Sequence, residues 1–423
     1  MNFKRLCIIP FVICLLLFPG AAAAAEVLQL TDTPELDGFP FWSPDGERIA
    51  YTSFDPVTGD MTIRVMAADG TAGTDLTPAG SRDFFVTNPW SPDGKEILFI
   101  SDRSGSYDLW VMNADGTGPV QVTNGTNVVP WLHGPRGCEA EWSPDGRMIA
   151  YTSCLFGGAD IREATADEHG GRASMNINFS EIRKEADIWV INPDGSGGRG
   201  LTSSGDALMP RWHPGGDRIA YLSRASGTAV VWVMNLDGSG ELQVTPDGED
   251  VLQFSWSPDG RKILYAVQTY DPISDNVSFG VRIVNADGSS LRHLTSGNVD
   301  TAPVWSPDGE KIAFYSQSRP PSSIWVMDTG GSDLQPLAPG YLTFRMHRWS
   351  PDGQKIAVSD GNDIFVAVPD SPAAATPGFG IISAVAAFSI GALAIRAGRQ
   401  LWRIRTPRRD GDMSSMTKTR GSL

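Results

Sequence analysis

The sequence predicts an all-β fold: a seven-bladed β-propeller, its ring closed by an N-terminal strand that completes the last blade. Three observations carry this. A block of Trp-Ser-Pro-Asp-Gly type recurs seven times, starting at Trp42, Trp90, Trp142, Trp212, Trp256, Trp305 and Trp349, at intervals of 44 to 70 residues. A period in the forties with several strand-like runs per unit marks radially repeated sheets. Glycine and proline are abundant, 46 and 30 among 423 residues, which favours short strands joined by turns over a helical bundle. Third strands outnumber the fourth strands that follow them by seven to six, while a run with the sequence of a fourth strand stands alone before the first repeat.

In chain order, residues 1–25 read as a secretory signal peptide. Lys4 and Arg5 precede an apolar run from Leu6 to Phe18, and Ala23, Ala24 and Ala25 supply small residues before Glu26. Cys7 and Cys14 fall inside the removed segment. Residues 26–370 form the propeller. Within it, Leu28-Gln29-Leu30-Thr31 is the lone fourth strand. Pairing it with the last repeat, which stops near Val368, would leave no open sheet edge.

Each repeat reads as four strands. The first ends at the Trp, and Ser-Pro-Asp-Gly is a tight turn: proline presets φ, aspartate caps locally, and glycine accepts a positive φ. The second strand alternates large and small residues, as in Arg147 to Thr152. The third is a run such as Leu109 to Asn113, followed by an Asp-Gly turn at Asp115-Gly116. The fourth ends in Leu-Thr or Val-Thr, as at Leu76-Thr77, Val122-Thr123 and Val244-Thr245. The repeat aspartates Asp45, Asp93, Asp145, Asp259, Asp308 and Asp352 are accordingly turn residues. A calcium-stabilised ring built on them is an alternative.

The third repeat carries the longest insertion, residues 154–187, which is polar. Long loops on a rigid ring are where binding usually resides. Cys138 begins the first strand of this repeat and Cys154 follows its second. The turn between them sets the two opposite one another, and outside the cell a disulfide is expected. Blade-to-blade loops on the same face bring the candidate partner-binding residues Arg82, Phe85, Trp131, His133, Arg136, Arg211, Tyr341, Arg345 and His347. Aromatic and arginine side chains suit a protein or glycan surface. Asn124, Asn178 and Asn276 open N-glycosylation sequons.

Residues 371–395 lack any charged side chain, enough to span a bilayer, and residues 396–423 form a basic tail expected to stay cytoplasmic. The whole chain carries a net charge of −15. The surplus of acid lies in the propeller, which argues against nucleic acid. The five histidines have no metal-ligand spacing, and no Gly-x-Ser-x-Gly turn occurs.

Ser101-Asp102-Arg103-Ser104-Gly105-Ser106-Tyr107-Asp108-Leu109-Trp110, together with the repeated turn, resembles the TolB-type, WD-related propeller repeat over residues 27–368. Pro377-Gly378-Phe379, before an apolar stretch and arginines, resembles an archaeal PGF-type C-terminal sorting signal. That resemblance implies cleavage and lipid attachment at the cell surface; a plain single-pass anchor is the alternative. The expectation is a secreted, surface-tethered, monomeric propeller. It would not be an enzyme, would need no cofactor, and would bind a protein or surface polymer. A glycan-active lyase or hydrolase at the central channel is the alternative function.

Overall fold

The computed structural model describes residues 26–80, 82–125, 139–154, 164–166, 173–175, 186–271, 276–295, 299–319, 323–337 and 346–369. Every regular element among them is a strand. None of the described residues forms a helix long and apolar enough to cross a membrane. The expected signal peptide, the apolar 371–395 segment with its sorting motif, and the basic tail lie outside the described residues.

The predicted strands form. The first repeat runs Leu36–Trp42, Arg48–Phe54, Met61–Ala67 and Thr74–Asp75, paired in that order as one four-stranded sheet. Three later repeats, opening with Ala207–Trp212, Asp250–Trp256 and Asp300–Trp305, build sheets of the same kind. The last sheet places Glu26–Gln29 beside Ile364–Val368, then Ile356–Ser359 and His347–Trp349. Leu28 lies across from Val366 in this register.

Separate sheets were expected throughout, and here the pairing differs. The repeats opening with Asp83–Trp90 and Ala140–Trp142 share one eight-stranded sheet, joined by a parallel bridge from Glu141 to Asn88. The cause is local. An irregularity between Phe85 and Trp90 takes Asn88 out of register with its own neighbour strand, and its backbone is taken up by Glu141 instead. Within the 154–187 insertion, Ala164–Ala166 and Ala173–Met175 pair as a small antiparallel hairpin.

The turns follow the expected chemistry. Ser43 Oγ donates to Asp45 Oδ1 at 2.5 Å and accepts the Arg48 N–H at 3.0 Å, while Gly46 sits at φ 74°. Five other turns repeat the serine–aspartate bond. These bonds hold the aspartate carboxyls below the usual carboxylate range; at Asp93 the Lys95 ammonium contributes most. In the fourth turn His213 stands in for serine. Its ring accepts the Gly215 N–H at 3.1 Å and packs edge-on to Trp256, 5.0 Å away.

The core lies between sheets. Phe41, Ala50 and Ile63 of the first sheet pack with Trp90, Ile97, Phe99 and Met112 of the second. Trp42, Ile49, Tyr51 and Met66 pack with Ala357, Ile364 and Val366 of the last. Fully burying a side chain of this kind contributes about 1.5–3 kcal/mol. The Asp-Gly turns seal the outer rim: Gly116 has φ 84°, and a Cβ there would lie 2.8 Å from the Leu76 carbonyl oxygen of the preceding sheet.

Candidate functional site

The seven first strands bound a central cavity of about 770 Å³. A second cavity of about 390 Å³ lies among the Trp-Ser-Pro turns and shares Trp42, Asn88, Glu141 and Trp212 with the first. Strand alternation explains what faces the central cavity. The repeat Trp is buried between sheets, so the residue before it points the other way, into the cavity. Phe41, Glu141, Arg211, Val304 and Arg348 all occupy that position and all line it.

Five of the first strands lose register, and three of these bulges share one conformation. Phe39, Met209 and Ala302 each have φ 56°, each precedes a proline, and each sits where the strand loses register. A left-handed conformation costs a non-glycine residue about 1–2 kcal/mol. All three side chains line the cavity. Strain of this kind gathers at functional sites.

Among the described residues, four ionisable side chains line the cavity. Glu139 and Arg211 form a buried ion pair, and Thr87 Oγ1 donates to the same Glu139 carboxylate at 2.6 Å. Glu141 Oε2 accepts the Trp212 N–H at 2.8 Å. Burial pushes the Glu141 carboxyl up to about 7, with help from the Glu139 charge and against Arg211 and the Trp212 amide. The Arg348 guanidinium lies over the Phe41 ring, 5.2 Å from its centroid, and donates to the His347 carbonyl at 3.1 Å. Burial and the neighbouring Arg211 hold it down to about 10, so it stays cationic at neutral pH. Phe41 also meets Phe85 edge-on at 5.5 Å, and Arg211 lies 6.0 Å from the Phe254 centroid.

Of the expected partner-binding residues, Phe85 and Arg211 come together in this cavity. Arg82 stands apart at the surface, its backbone N–H on Asp102 at 3.0 Å. His347 reaches no mouth: it is completely buried, and burial pushes its imidazole down to about 4. It is two residues before Trp349 and therefore shares the tryptophan's buried face. Trp131, His133, Arg136, Tyr341, Arg345, Asn178 and Cys138 lie outside the described residues. The same holds for the Cys154 side chain, and so for the expected disulfide; Cys154 ends a strand opposite Ala186. Asn124 is exposed, and Asn276 opens the strand Asn276–Asn285. Among the described residues no group of three His, Cys, Asp or Glu side chains could hold a metal ion. Sequence reasoning missed Glu139, Glu141 and Arg348. For Glu141 and Arg348 the signal was the column of residues directly before each repeat Trp; Glu139 lies outside that column.

Strands, turns and this central cavity together define a propeller, and the chain belongs to the TolB β-propeller domain family, whose model matches residues 22–153 and 175–374. A TolB homolog of Chlorobium luteolum is 28% identical over 163 residues, 34% of this chain and 34% of that one. An uncharacterized peptidase of Bacillus subtilis is 27% identical over 154 residues, 34% of this chain and 22% of that one. The chain spans about half the length, or less, of the curated relatives it matches. Among solved structures, oligogalacturonate lyase in complex with manganese superposes with a TM-score of 0.62 at 14% identity, covering 83% of this chain and 95% of that one. These relatives correct one expectation. The chain was read as not an enzyme, yet a peptidase stands among its relatives and a lyase has the same fold.

Proposed function

We propose that this protein is a recognition propeller of seven blades, closed by its N-terminal strand, which takes a ligand or a partner's chain segment into its central cavity. One observation carries the reading: a cavity of about 770 Å³ combines a wall of Phe39, Phe41, Phe85 and Phe254 with the ionisable side chains of Glu139, Glu141, Arg211 and Arg348. Binding sites commonly have volumes of about 300–1,000 Å³, largely apolar with a few placed polar groups. Family membership supports an interaction role. The uncharged 371–395 segment and its basic flank support tethering outside the cell, and we infer a monomer whose polar 154–187 insertion also serves binding of a protein or surface polymer.

A second reading rests on Glu141. A carboxyl pushed up to about 7 by burial, lining the same cavity as Glu139, is equipped to act as a general acid or base on whatever the cavity holds. The fold shared with a lyase is compatible with it.

The test is a photo-cross-linking benzoylphenylalanine placed at Phe254 in the full chain in intact cells, followed by mass spectrometry. One dominant adduct is expected. Labelling no different from that of a probe at exposed Val57 would overturn the reading.

A further inference from the structure

We propose that Arg348 anchors a carboxylate in the central cavity, and that the ligand is an acid with an apolar or aromatic body. This rests on the cavity being the binding site. The charges there do not balance pair by pair. Glu139 is taken by Arg211 and by Thr87 Oγ1. Glu141 is capped by the Trp212 N–H. Arg348 makes one described hydrogen bond, to its neighbour's carbonyl, and no carboxylate among the described residues pairs with it. A guanidinium has five N–H donors in a fixed fork that matches a carboxylate.

The surroundings narrow the ligand further. Phe41 lies against the guanidinium and Phe85 against Phe41, so an apolar group attached to the carboxylate would meet aromatic faces. Met346, just before the strand His347–Trp349, continues the apolar wall. A phosphate dianion fits poorly. Among the described residues, the only other cation in the cavity is already paired, and two carboxyls share the space. The chain as a whole is strongly negative, so recognition of an anion here is local, made by one fork and its rings. Two sources supply this chemistry: the free C-terminus of a peptide with apolar side chains, and a free aromatic carboxylic acid.

The experiment measures binding of matched probes to the full chain by calorimetry. One pair is a pool of tetrapeptides ending in Phe or Leu, with free or amidated C-termini. The other is phenylacetate and phenylacetamide. Each acid is expected to bind about ten-fold or more tightly than its amide. Arg348→Gln should abolish that difference, Arg348→Lys should keep part of it, and Arg82→Gln should leave it unchanged. Circular dichroism confirms that each variant is folded, and the Lys variant serves if the Gln variant is not. Tight binding confined to the peptide pool, or shared with phenylacetate, tells the two sources apart. Equal affinity for acid and amide, discrimination that survives in Arg348→Gln, no binding of any acid, or preferential binding of trigalacturonate would each overturn the proposal. An adduct at Phe254 with a ligand lacking a carboxylate would overturn it too, while leaving the cavity as the site.

Discussion

Thr31 Oγ1 accepts the backbone N–H of Ile364, 333 residues later, at 2.9 Å. The same bond joins Thr77 to Ile63 and Thr245 to Val231, each across only 14 residues. The terminal strand thus does for the last sheet what a local strand does for the others. Leaving a buried donor without its acceptor costs about 1–3 kcal/mol. Thr31→Val and Thr245→Val should therefore lower the urea midpoint by similar amounts. A much smaller effect at Thr31 would show that the terminal strand frays before the molecule unfolds.

Glycine at the turns answers to two demands, and they can be separated. Gly116 has φ 84° and no room for a Cβ beside the Leu76 carbonyl; Gly105 has φ 96° and open space. Gly105→Ala should cost about 1 kcal/mol, the conformational part alone. Gly116→Ala should cost clearly more, because a backbone of the neighbouring sheet must shift. Thermal melts of the two variants check this.

Two buried groups should pull the pH dependence of stability in opposite directions. Glu141 has its folded pKa raised to about 7. The folded state then holds more protons than the unfolded chain between about 4.5 and 7, and stability falls as pH rises through that window. His347 has its folded pKa depressed to about 4, so its contribution is present above the unfolded value near 6.5 and is lost as pH falls toward 4. The slopes oppose each other between about 4.5 and 6.5. Glu141→Gln should unmask a rising stability with pH, and His347→Leu a falling one, each spanning up to about 3 kcal/mol. Unchanged slopes in both variants would refute the assignment.

The Arg211–Glu139 pair should be easier to replace than to break. Arg211→Met leaves a buried carboxylate facing only Thr87 and should destabilise by about 3–5 kcal/mol. Adding Glu139→Gln should recover most of that loss. A strictly additive double variant, measured by denaturant unfolding, would contradict the coupling.

The repeat was legible because turn chemistry is local. Ser43, Asp45 and Gly46 act within one turn, and Thr77 acts on its own sheet, so reading the residues amounts to reading the bonds. The cavity was less legible because it is assembled from seven strands far apart in sequence. Glu141, Arg211 and Arg348 meet only once the sheets stand side by side. Alternation did hold part of the answer: in six of the seven repeats the residue before the Trp lines the cavity, while His347, two before Trp349, is buried with that Trp. Read that way, His347 is an interior residue and Arg348 is the one to examine. The merging of two sheets through Asn88 and Glu141 depends on a bulge that no residue type announces.

The indoles of the repeat tryptophans add a last consequence. Trp90, Trp142, Trp212 and Trp256 each donate to a carbonyl on the preceding first strand, at Phe41, Pro89, Glu141 and Arg211, over 3.1 to 3.2 Å. Those of Trp305, Trp349 and Trp42 find no acceptor among the described residues. The first strands are thus tied to one another by indole bonds along one arc and, among the described residues, not along the other. Arg348 stands on the untied arc and Arg211 on the tied one, so the two arginines of the cavity differ in how their strands are fastened to the sheet before them.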